Sequence, residues 1–522
     1  MGFTINNEEI PLLGSDIAAA HAVTLSSQPA GVELTVNATS MRAAKATRLL
    51  ECCLQLARSN AAAGGRWPAI CIARDIACRA LMYDARVLPC SLVLPHASSI
   101  MEGAWRVLEE VIGDTLTSPQ RQQAHLPLDL GGLAWPDLAL EVPLARLADI
   151  IETGPHLRGA LVARRPGLTS EDIYALDGAE HDAAALEAAA AAGIHPGPSG
   201  LPAPKPATNP MRPPAPARHL MSAYIRRAGE QRLHDLWPHA DLDARTRLLS
   251  SGGSVAGQSL LAPPTTEGVD FTDAEIRIAL RWRLGVQMPA GLCRNEPKDG
   301  GDRCNAAIHP NGHHCLSCMI GPARYALHNA LADLIAEFIS EAGAIARREV
   351  FVPEFLTTTK RAASEESDDE TYRKAAFLDV WGFGTADIVD LLIDVTVRNA
   401  AAPRYAPQAA NQPGAAAQKA AKEKQLRYPP RSGRRATTFA VESWGRLGAE
   451  GEALLLTLRA AADRRAVRSG HCQPGRFARW RRKLDAAVQR GIVRCISSAT
   501  CGLPGRPPAR ARPSGLYSSQ RT

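Results

Sequence analysis

The sequence predicts a multidomain protein, with a mainly α N-terminal segment followed by a small α/β domain that carries a zinc knuckle. The chain has 522 residues, enough for about two to four separate hydrophobic cores. Apolar residues recur at intervals of three and four through much of the first 190 residues, whereas helical and β-rich runs alternate after residue 320. A stretch rich in cysteine and histidine lies between these two parts.

The N-terminal segment is predicted to be helical because three runs place apolar residues on one helical face. These runs are MRAAKATRLLECCLQLARS (41–59), ARDIACRALMYDARVLPC (73–90) and ASSIMEGAWRVLEEVIGDTL (97–116). Residues 195–218 hold many prolines and no periodicity, which is typical of an extended linker. Helical spacing resumes at 219–237.

A further amphipathic helix is predicted within FTDAEIRIALRWRLG (271–285), where Thr272 or Asp273 is available as the N-cap. The boundaries that we expect along the chain are a helical segment at 1–190, a proline-rich linker at 191–218, a helical connector at 219–290, a zinc knuckle at 291–320, an α/β domain at 321–465 and a basic helix and tail at 466–522.

The α/β domain is predicted from a change of pattern after the knuckle. A strong helix at 323–343 ends at Gly343, and SEESDDETYR (364–373) is an acidic loop. The β-rich runs are 344–355, 376–384, 390–399 and 437–444, and two more helical runs cover 415–428 and 450–466. The resulting order of helix, strands, helix, strand and helix is that of a small α/β domain.

Composition indicates an intracellular protein with no membrane association. No apolar run approaches the roughly 20 residues of a membrane span, and the first residues lack the basic then apolar order of a secretory signal. Intracellular thiols are kept reduced, so the twelve cysteines are expected to be thiols or metal ligands before disulfides.

The net charge of +7 is unevenly placed along the chain. From Arg464 to Thr522 there are fourteen Arg or Lys residues against one acid, Asp485, which favours a polyanionic partner. A solvated arginine-rich tail is the alternative. Trp480 lies among arginines and is a candidate for stacking on a base, or for packing inside a helix bundle.

Four cysteines and three histidines lie within 293–318, a segment with too few apolar residues to form its own core. Cys293, Cys304, His314 and Cys318 give the spacing C-x10-C-x9-H-x3-C, which suits a structural Zn²⁺ with four protein ligands. The short last spacing lets His314 and Cys318 face one ion from the first turn of a helix. Cys315, His313 and His309 are alternative ligands, and clustered free thiols are the alternative to zinc.

Two aspartates of neighbouring β-rich runs form a candidate catalytic pair. Asp379 and Asp394 are separated by fourteen residues, and adjacent strands would bring both carboxylates to one edge. Asp394 lies within LLIDVTV, where a carboxylate is costly unless it faces a polar site. Phosphodiester cleavage by Mg²⁺ requires such carboxylates together with a cation that stabilises developing negative charge.

That cation is sought on the helical run before Tyr428, which carries Lys419, Lys422 and Lys424. Lys424 and Tyr428 are four residues apart and would share one helical face. Ordinary surface lysines and loop acids are the alternative interpretation of the same residues.

These residues together resemble the C-terminal half of a non-LTR retrotransposon polyprotein of the type that carries a restriction-like endonuclease. In that family a Cys-Cys-His-Cys knuckle precedes a PD-(D/E)xK nuclease, and the knuckle falls on Cys293, Cys304, His314 and Cys318, with a long first gap. The helix that follows carries a His-Asn pair in the family, which makes His328 and Asn329 candidate supporting residues.

The resemblance assigns the acidic pair to Asp379 and Asp394, as Mg²⁺ ligands, and the displaced lysine with its trailing tyrosine to Lys424 and Tyr428. Two positions depart from the family pattern. Leu378 stands where a proline precedes the first acid, and Thr396 stands where a lysine follows the second acid.

The resemblance extends upstream. The motif LP-x-x-x-GG-L at 126–133 is similar to one in the thumb that follows a reverse transcriptase palm, and FTINNEEIPLLGSDI (3–17) resembles the last palm strands. The fold class implied is thus a thumb-like helical segment plus a restriction-endonuclease-like α/β domain. No aspartate pair of the polymerase type is present, since Asp368 and Asp369 lie in the acidic loop, so reverse transcription is not expected from this chain alone.

The function implied by the resemblance is that of a truncated retrotransposon protein in the nucleus. Its C-terminal domain would nick target DNA with Mg²⁺ for target-primed reverse transcription, while the structural Zn²⁺ knuckle and basic C-terminus hold DNA or element RNA. A catalytically inactive, nucleic-acid-binding relic of the same element is the alternative.

Overall fold

The structure is a computed structural model. It describes residues 3–5, 8–10, 29–59, 64–149, 190, 216–266, 268–297, 301–355, 357–360, 371–374, 376–470 and 474–501. The chain divides into two compact units. The first contains Met1–Pro127 and Leu133–His239, and the second contains Leu128–Gly132 and Ala240–Thr522. The described chain is mostly helical, with a small mixed sheet in its C-terminal half. Residues 191–215 of the linker predicted at 191–218 lie outside the described residues, as do Asp368 and Asp369, whereas 216–218 belong to a helix.

Among the residues that the structure describes, the first unit begins with an antiparallel hairpin and is otherwise mainly helical. Its elements are β1 (Phe3–Ile5), β2 (Glu8–Ile10), α1 (Pro29–Arg58), α2 (Arg66–Asp75), α3 (Asp84–Val87), α4 (Cys90–Ile112), α5 (Ser118–His125), α6 (138–149) and α7 (Pro216–Leu236). α4 packs against α1, where Gly103 admits the side chain of Leu50 to within 3.0 Å of the position that a Cβ would occupy. The helical prediction for 1–190 is confirmed over 29–59 and 64–149, whereas Phe3–Ile5 and Glu8–Ile10 form strands.

The second unit begins with α8 (Leu242–Ser250) and α9 (Asp273–Leu284). Thr272 is the N-cap of α9: its side chain accepts a hydrogen bond from the Glu275 backbone N–H, and the Glu275 carboxylate accepts one from the Thr272 N–H. This capping box satisfies two backbone donors at the helix start and fixes where α9 begins.

The region of the predicted zinc knuckle follows with short elements: β3 (Gly291–Leu292), β4 (Ala307–Ile308) and α10 (His313–Ser317). Strands β3 and β4 pair in an antiparallel arrangement. A separate helix, α11 (Ala323–Glu341), comes next, and Gly343 at φ +97° ends the helical run as predicted.

The mixed sheet consists of β5 (Ile345–Phe351), β8 (Phe377–Phe383), β9 (Asp390–Arg398) and β10 (Ala436–Glu442), after β6 (Thr357–Lys360) and β7 (Thr371–Lys374), which form a separate hairpin. Its strand order is β10-β9-β8-β5. β8 is antiparallel to both neighbours, and β10 is parallel to β9. A crossover with two helices, α12 (Ala406–Ala409) and α13 (Ala415–Arg427), joins β9 to β10, as a parallel pair requires.

Helices cover the sheet through complementary surfaces. α13 approaches β10 closely because alanines line its inner face, with Ala417 and Ala420 buried against Ala440. α14 (Ala449–Ser469) also packs on β10, and α11 packs on β5 and β8, where Ile339 reaches Gly382. The last helix, α15 (Arg476–Cys501), packs against α11. The helices and β-rich runs predicted between 323 and 466 are therefore confirmed, apart from the β6–β7 hairpin, whose second strand includes Thr371–Lys374 at the end of the predicted acidic loop.

No helix in the described part of the chain is both long and apolar enough to cross a membrane.

Candidate metal centre and acidic site

The four predicted knuckle ligands meet at one point. Their ligand atoms all lie within 4.8 Å of one another. Cys293 Sγ is 3.9 Å from Cys318 Sγ, and Cys304 Sγ is 3.4 Å from His314 Nε2. In a tetrahedral site with Zn–S bonds of about 2.3 Å and a Zn–N bond of about 2.0 Å, these separations would be about 3.8 Å and about 3.5 Å. The cluster therefore could hold a zinc ion with all four protein ligands.

Local structure explains how such distant residues come together. The β3–β4 hairpin brings Cys293 towards Cys304, because the Cys293 N–H donates to Ala306 O and the Cys304 N–H donates to Asn295 O. Gly312 at φ +70° starts α10, which places His314 in its first turn and Cys318 directly after its last residue. The predicted helix is therefore α10, which carries His314 and ends just before Cys318, and it does not continue into α11.

The alternative ligands are engaged elsewhere or lie outside the cluster. Cys315 is buried, and burial raises the pKa of its thiol to about 11, as expected for a neutral thiol. His313 Nε2 contacts the Asp243 carboxylate, and its ring meets Trp282 and Trp444 edge-on. His309 is not part of the group of ligand atoms.

The knuckle is fixed to the sheet through Asn399, directly after β9. The Asn399 side-chain N–H donates to His313 O at 3.2 Å and to Ser317 Oγ at 3.0 Å. Trp282 and Trp444 stack at 4.7 Å, and the indole N–H of Trp444 donates to Trp282 O. A structural ion would therefore stabilise α10, which is hydrogen-bonded to the end of β9 through Asn399.

Asp379 and Asp394 lie on the two central strands, β8 and β9. The antiparallel register ends at the pair Val380 and Ile393, and Asp379 and Asp394 are the next residues of the two strands beyond that pair. The charge of Asp379 acts on Asp394, and the ammonium group of Lys424 acts on both carboxylates. The structure therefore brings the two predicted carboxylates together, on neighbouring strands.

Asp379 is held by a histidine and a backbone amide. His328, on α11, has Nε2 at 2.9 Å from Asp379 Oδ1, and the Val395 N–H donates to Asp379 Oδ2 at 2.6 Å. Burial opposes ionisation of Asp379, but the hydrogen bond and charge of His328, with the Val395 amide and Lys424, outweigh it. The pKa of Asp379 lies below its ordinary value.

Asp394 is almost fully buried and is paired with the predicted lysine. Lys424 Nζ lies 2.7 Å from Asp394 Oδ2, and 5% of the Asp394 side chain is exposed. Burial raises the pKa of Asp394 although the Lys424 ammonium opposes this rise, and the negative charge of Asp379 adds to it. The two carboxyl groups therefore differ in the direction of their pKa shifts.

The remaining predicted site residues differ in position. Tyr428 is buried at the end of α13, where its ring lies 5.8 Å from that of Phe355 and 5.9 Å from Lys424 Nζ. Burial raises the pKa of its phenol to about 12. Asn329 is exposed on α11, whereas His328 contacts the site. The catalytic role of Tyr428 stays a prediction.

One residue that positions the site was missed by sequence reasoning. Glu442, the last residue of β10, is buried, and its Oε1 accepts hydrogen bonds from the N–H groups of Ala416 and Ala417 at 2.9 and 3.2 Å. These are orphan amides of the first turn of α13. Glu442 therefore anchors the helix that carries Lys424, and an acid at the end of an apolar strand was its sequence signal.

The C-terminal basic segment is largely engaged within the second unit. Lys483 pairs with Glu337 at 2.7 Å and Arg490 with Asp270 at 2.8 Å. Trp480 is fully buried and stacked on Phe338 at 4.8 Å, so base stacking by Trp480 is wrong and the helix-packing alternative is confirmed. Asp485 is buried and accepts the Gly257 N–H at 2.9 Å. Residues beyond 501 lie outside the described part.

No family model matches the chain, and the comparison with curated proteins also finds no match. The geometry of the two sites is therefore the basis for interpreting them.

Proposed function

We propose that the chain is the C-terminal part of a retroelement protein and that its sheet domain is a Mg²⁺-dependent DNA endonuclease acting in the nucleus. The observation that carries this proposal is the meeting of Asp379, Asp394 and Lys424 at the two central strands. Two carboxylates and an ammonium group around one point are the groups that phosphodiester cleavage by a divalent ion requires.

The donor set suits Mg²⁺, which prefers oxygen ligands. Asp379 and Asp394 would hold the ion, which would supply charge neutralisation at the scissile phosphate. The chain itself supplies the rest. His328 and the Val395 amide orient the Asp379 carboxylate, and Lys424 places a positive charge beside Asp394 that is available to a phosphate oxygen.

The zinc cluster would be structural in this proposal, since its four protein ligands leave no position for a reacting water. The hydrogen bonds between the cluster and the sheet support this role. Asn399 joins α10 to the end of β9, so the ion would stabilise the chain next to the acidic site.

A plasmid nicking assay with Mg²⁺ and the zinc-loaded full chain tests the enzyme. We expect Asp394→Asn to reduce the rate of nicking by about a hundredfold or more. Asp463→Asn is the matched control, because Asp463 is an exposed carboxylate on α14. Equal nicking by wild type and Asp394→Asn would refute the proposal.

The same assay separates the alternative function. A nucleic-acid-binding relic would bind DNA with strong salt dependence but would show no nicking with Mg²⁺ in any variant. The buried ion pair between Asp394 and Lys424 is the observation that favours this alternative, because it already neutralises one of the two carboxylates.

A further inference from the structure

A groove with a volume of about 500 Å³ runs between the knuckle and the sheet. One wall is formed by the residues that follow α10 and by the first turns of α11, including Met319 and Arg324. The other wall is formed by the end of β9 and the segment after it, including Arg398, Asn399 and Arg404. We call this feature the knuckle groove.

The knuckle groove is continuous with the acidic site. His328, which contacts Asp379, and Thr396 both line it. Alternation along a strand places Asp394, Thr396 and Arg398 on one face of β9. At about 3.3 Å per residue, Arg398 is about 13 Å from Asp394 along the strand.

The charge of the knuckle groove is opposite to that of the acidic site. Three arginines line it, and Arg324 and Arg404 take part in none of the ion pairs found among the described residues. Arg398 pairs with Glu423 at 3.2 Å through one terminal nitrogen. Its Nε is shielded from solvent and donates to no acceptor in the described chain. A buried guanidinium N–H without an acceptor is costly unless a ligand supplies one.

Arg404 is held in place without being neutralised. Its guanidinium lies 4.4 Å from the ring centroid of Tyr405, and Lys419 Nζ, which donates to Arg404 O, is 5.3 Å from the same centroid. Stacking on an aromatic face orients a guanidinium while leaving its N–H groups available to an anion.

We propose that the knuckle groove holds the sugar–phosphate backbone of the DNA strand to be nicked, with Arg398 and Arg404 each contacting a phosphate beside the scissile one. This inference rests on the proposed endonuclease function and adds the binding track of its substrate. Charge complementarity and continuity with Asp379 and Asp394 select this occupant.

Fluorescence anisotropy with a labelled DNA duplex, the zinc-loaded full chain and no added magnesium tests the proposal without strand cleavage. Binding is measured over a series of NaCl concentrations. Each of Arg398→Ala and Arg404→Ala is expected to lower the slope of log K against log salt by about 1, and to weaken binding equally for unrelated sequences. Arg459→Ala is the matched control, since Arg459 is an exposed arginine of α14 that lies outside both the groove and the basic C-terminal segment.

Arg404 is exposed, so Arg404→Ala still tests the proposal if Arg398→Ala disturbs the fold. The zinc content of each variant shows whether its metal cluster is intact. A salt slope for Arg404→Ala equal to that of the Arg459→Ala control would overturn the proposal. Nicking distinguishes the two ideas. If the salt slope falls in the variants but the chain never nicks DNA, the groove proposal stands and the endonuclease proposal is refuted. If the chain nicks DNA but the salt slopes of the variants are unchanged, the endonuclease proposal stands and the groove proposal is refuted.

Discussion

Replacing Lys424 by methionine tests the acidic site directly, because it leaves the buried Asp394 carboxylate without its counter-charge. The two charged atoms are 2.7 Å apart, and the Lys424 and Asp394 side chains are 18% and 5% exposed. Coulomb's law at an effective dielectric constant of about 20 gives an attraction of about 6 kcal/mol. Desolvation of both groups offsets part of this attraction. Removal of one partner from a buried pair destabilises by about 3 kcal/mol or more.

Hydrogen exchange of the backbone amides of β9 and α13, read by mass spectrometry without magnesium, reports this local stability in a chain with two units. A loss of about 3 kcal/mol corresponds to about a hundredfold loss of protection. Lys422→Met is the matched control, since Lys422 is exposed on the same helix. Asp394→Asn and the double variant complete a mutant cycle, which isolates the interaction between the two groups.

Two results would refute this reasoning. The first is protection of β9 in Lys424→Met that equals protection in Lys422→Met. The second is simple addition of the effects of Lys424→Met and Asp394→Asn, because additive effects mean that the two side chains do not interact.

Three further predictions follow from other contacts. Cys318→Ser should abolish binding of zinc by the purified chain, whereas Cys315→Ser should leave it at one equivalent, as measured by atomic absorption. Glu442→Ala leaves two buried amides of α13 without an acceptor, so the free energy of unfolding should fall by about 2 kcal/mol, and Glu442→Gln should restore part of it in denaturant titrations. Hydrogen bonds from Arg434 hold the pKa of Asp390 below its ordinary value of 3.8. The ionised Asp390 therefore stabilises the folded chain above pH 3.8, and this contribution is lost as the pH falls below that value. In Asp390→Asn, the free energy of unfolding should depend less steeply on pH in the acid range.

The α/β elements could be predicted because local patterns specify them. Alternation in β8 and β9 and the alanine-rich face of α13 are both visible in the sequence. The convergence of Asp379 and Asp394 also followed from a local signal, since a carboxylate inside an apolar strand must face a polar site. Lys424 was predicted from its spacing of four residues before Tyr428 and from the resemblance, and the structure places it beside Asp394.

Contacts between distant parts of the chain could not be predicted in the same way. Glu442 reaches α13 and Asn399 reaches α10 only because the sheet order places those elements side by side, and spacing in one sequence does not contain that order. The β6–β7 hairpin was missed where acidic residues interrupt the strand pattern.

Trp480 carried two local signals that pointed to different roles. Its neighbouring arginines suggested a nucleic-acid contact, but Trp480, Leu484, Val488 and Ile492 repeat every four residues and form the buried stripe of α15. That periodicity is the ordinary mark of a packed helix face.

The carboxylate of Glu442 also determines how much variation the acidic site tolerates. Lys424 lies eight residues after Ala416, whose N–H hydrogen-bonds to Glu442, and this spacing is about 12 Å along the helix axis. The position of Lys424 relative to the sheet is therefore fixed from the N-terminal end of α13. Insertions in the turn at 429–435 should therefore leave the ammonium where it is, whereas a single deletion between Ala416 and Lys424 would swing it about 100° away from Asp394. The length of the chain can therefore vary after Lys424, in the turn at 429–435, but not between Ala416 and Lys424.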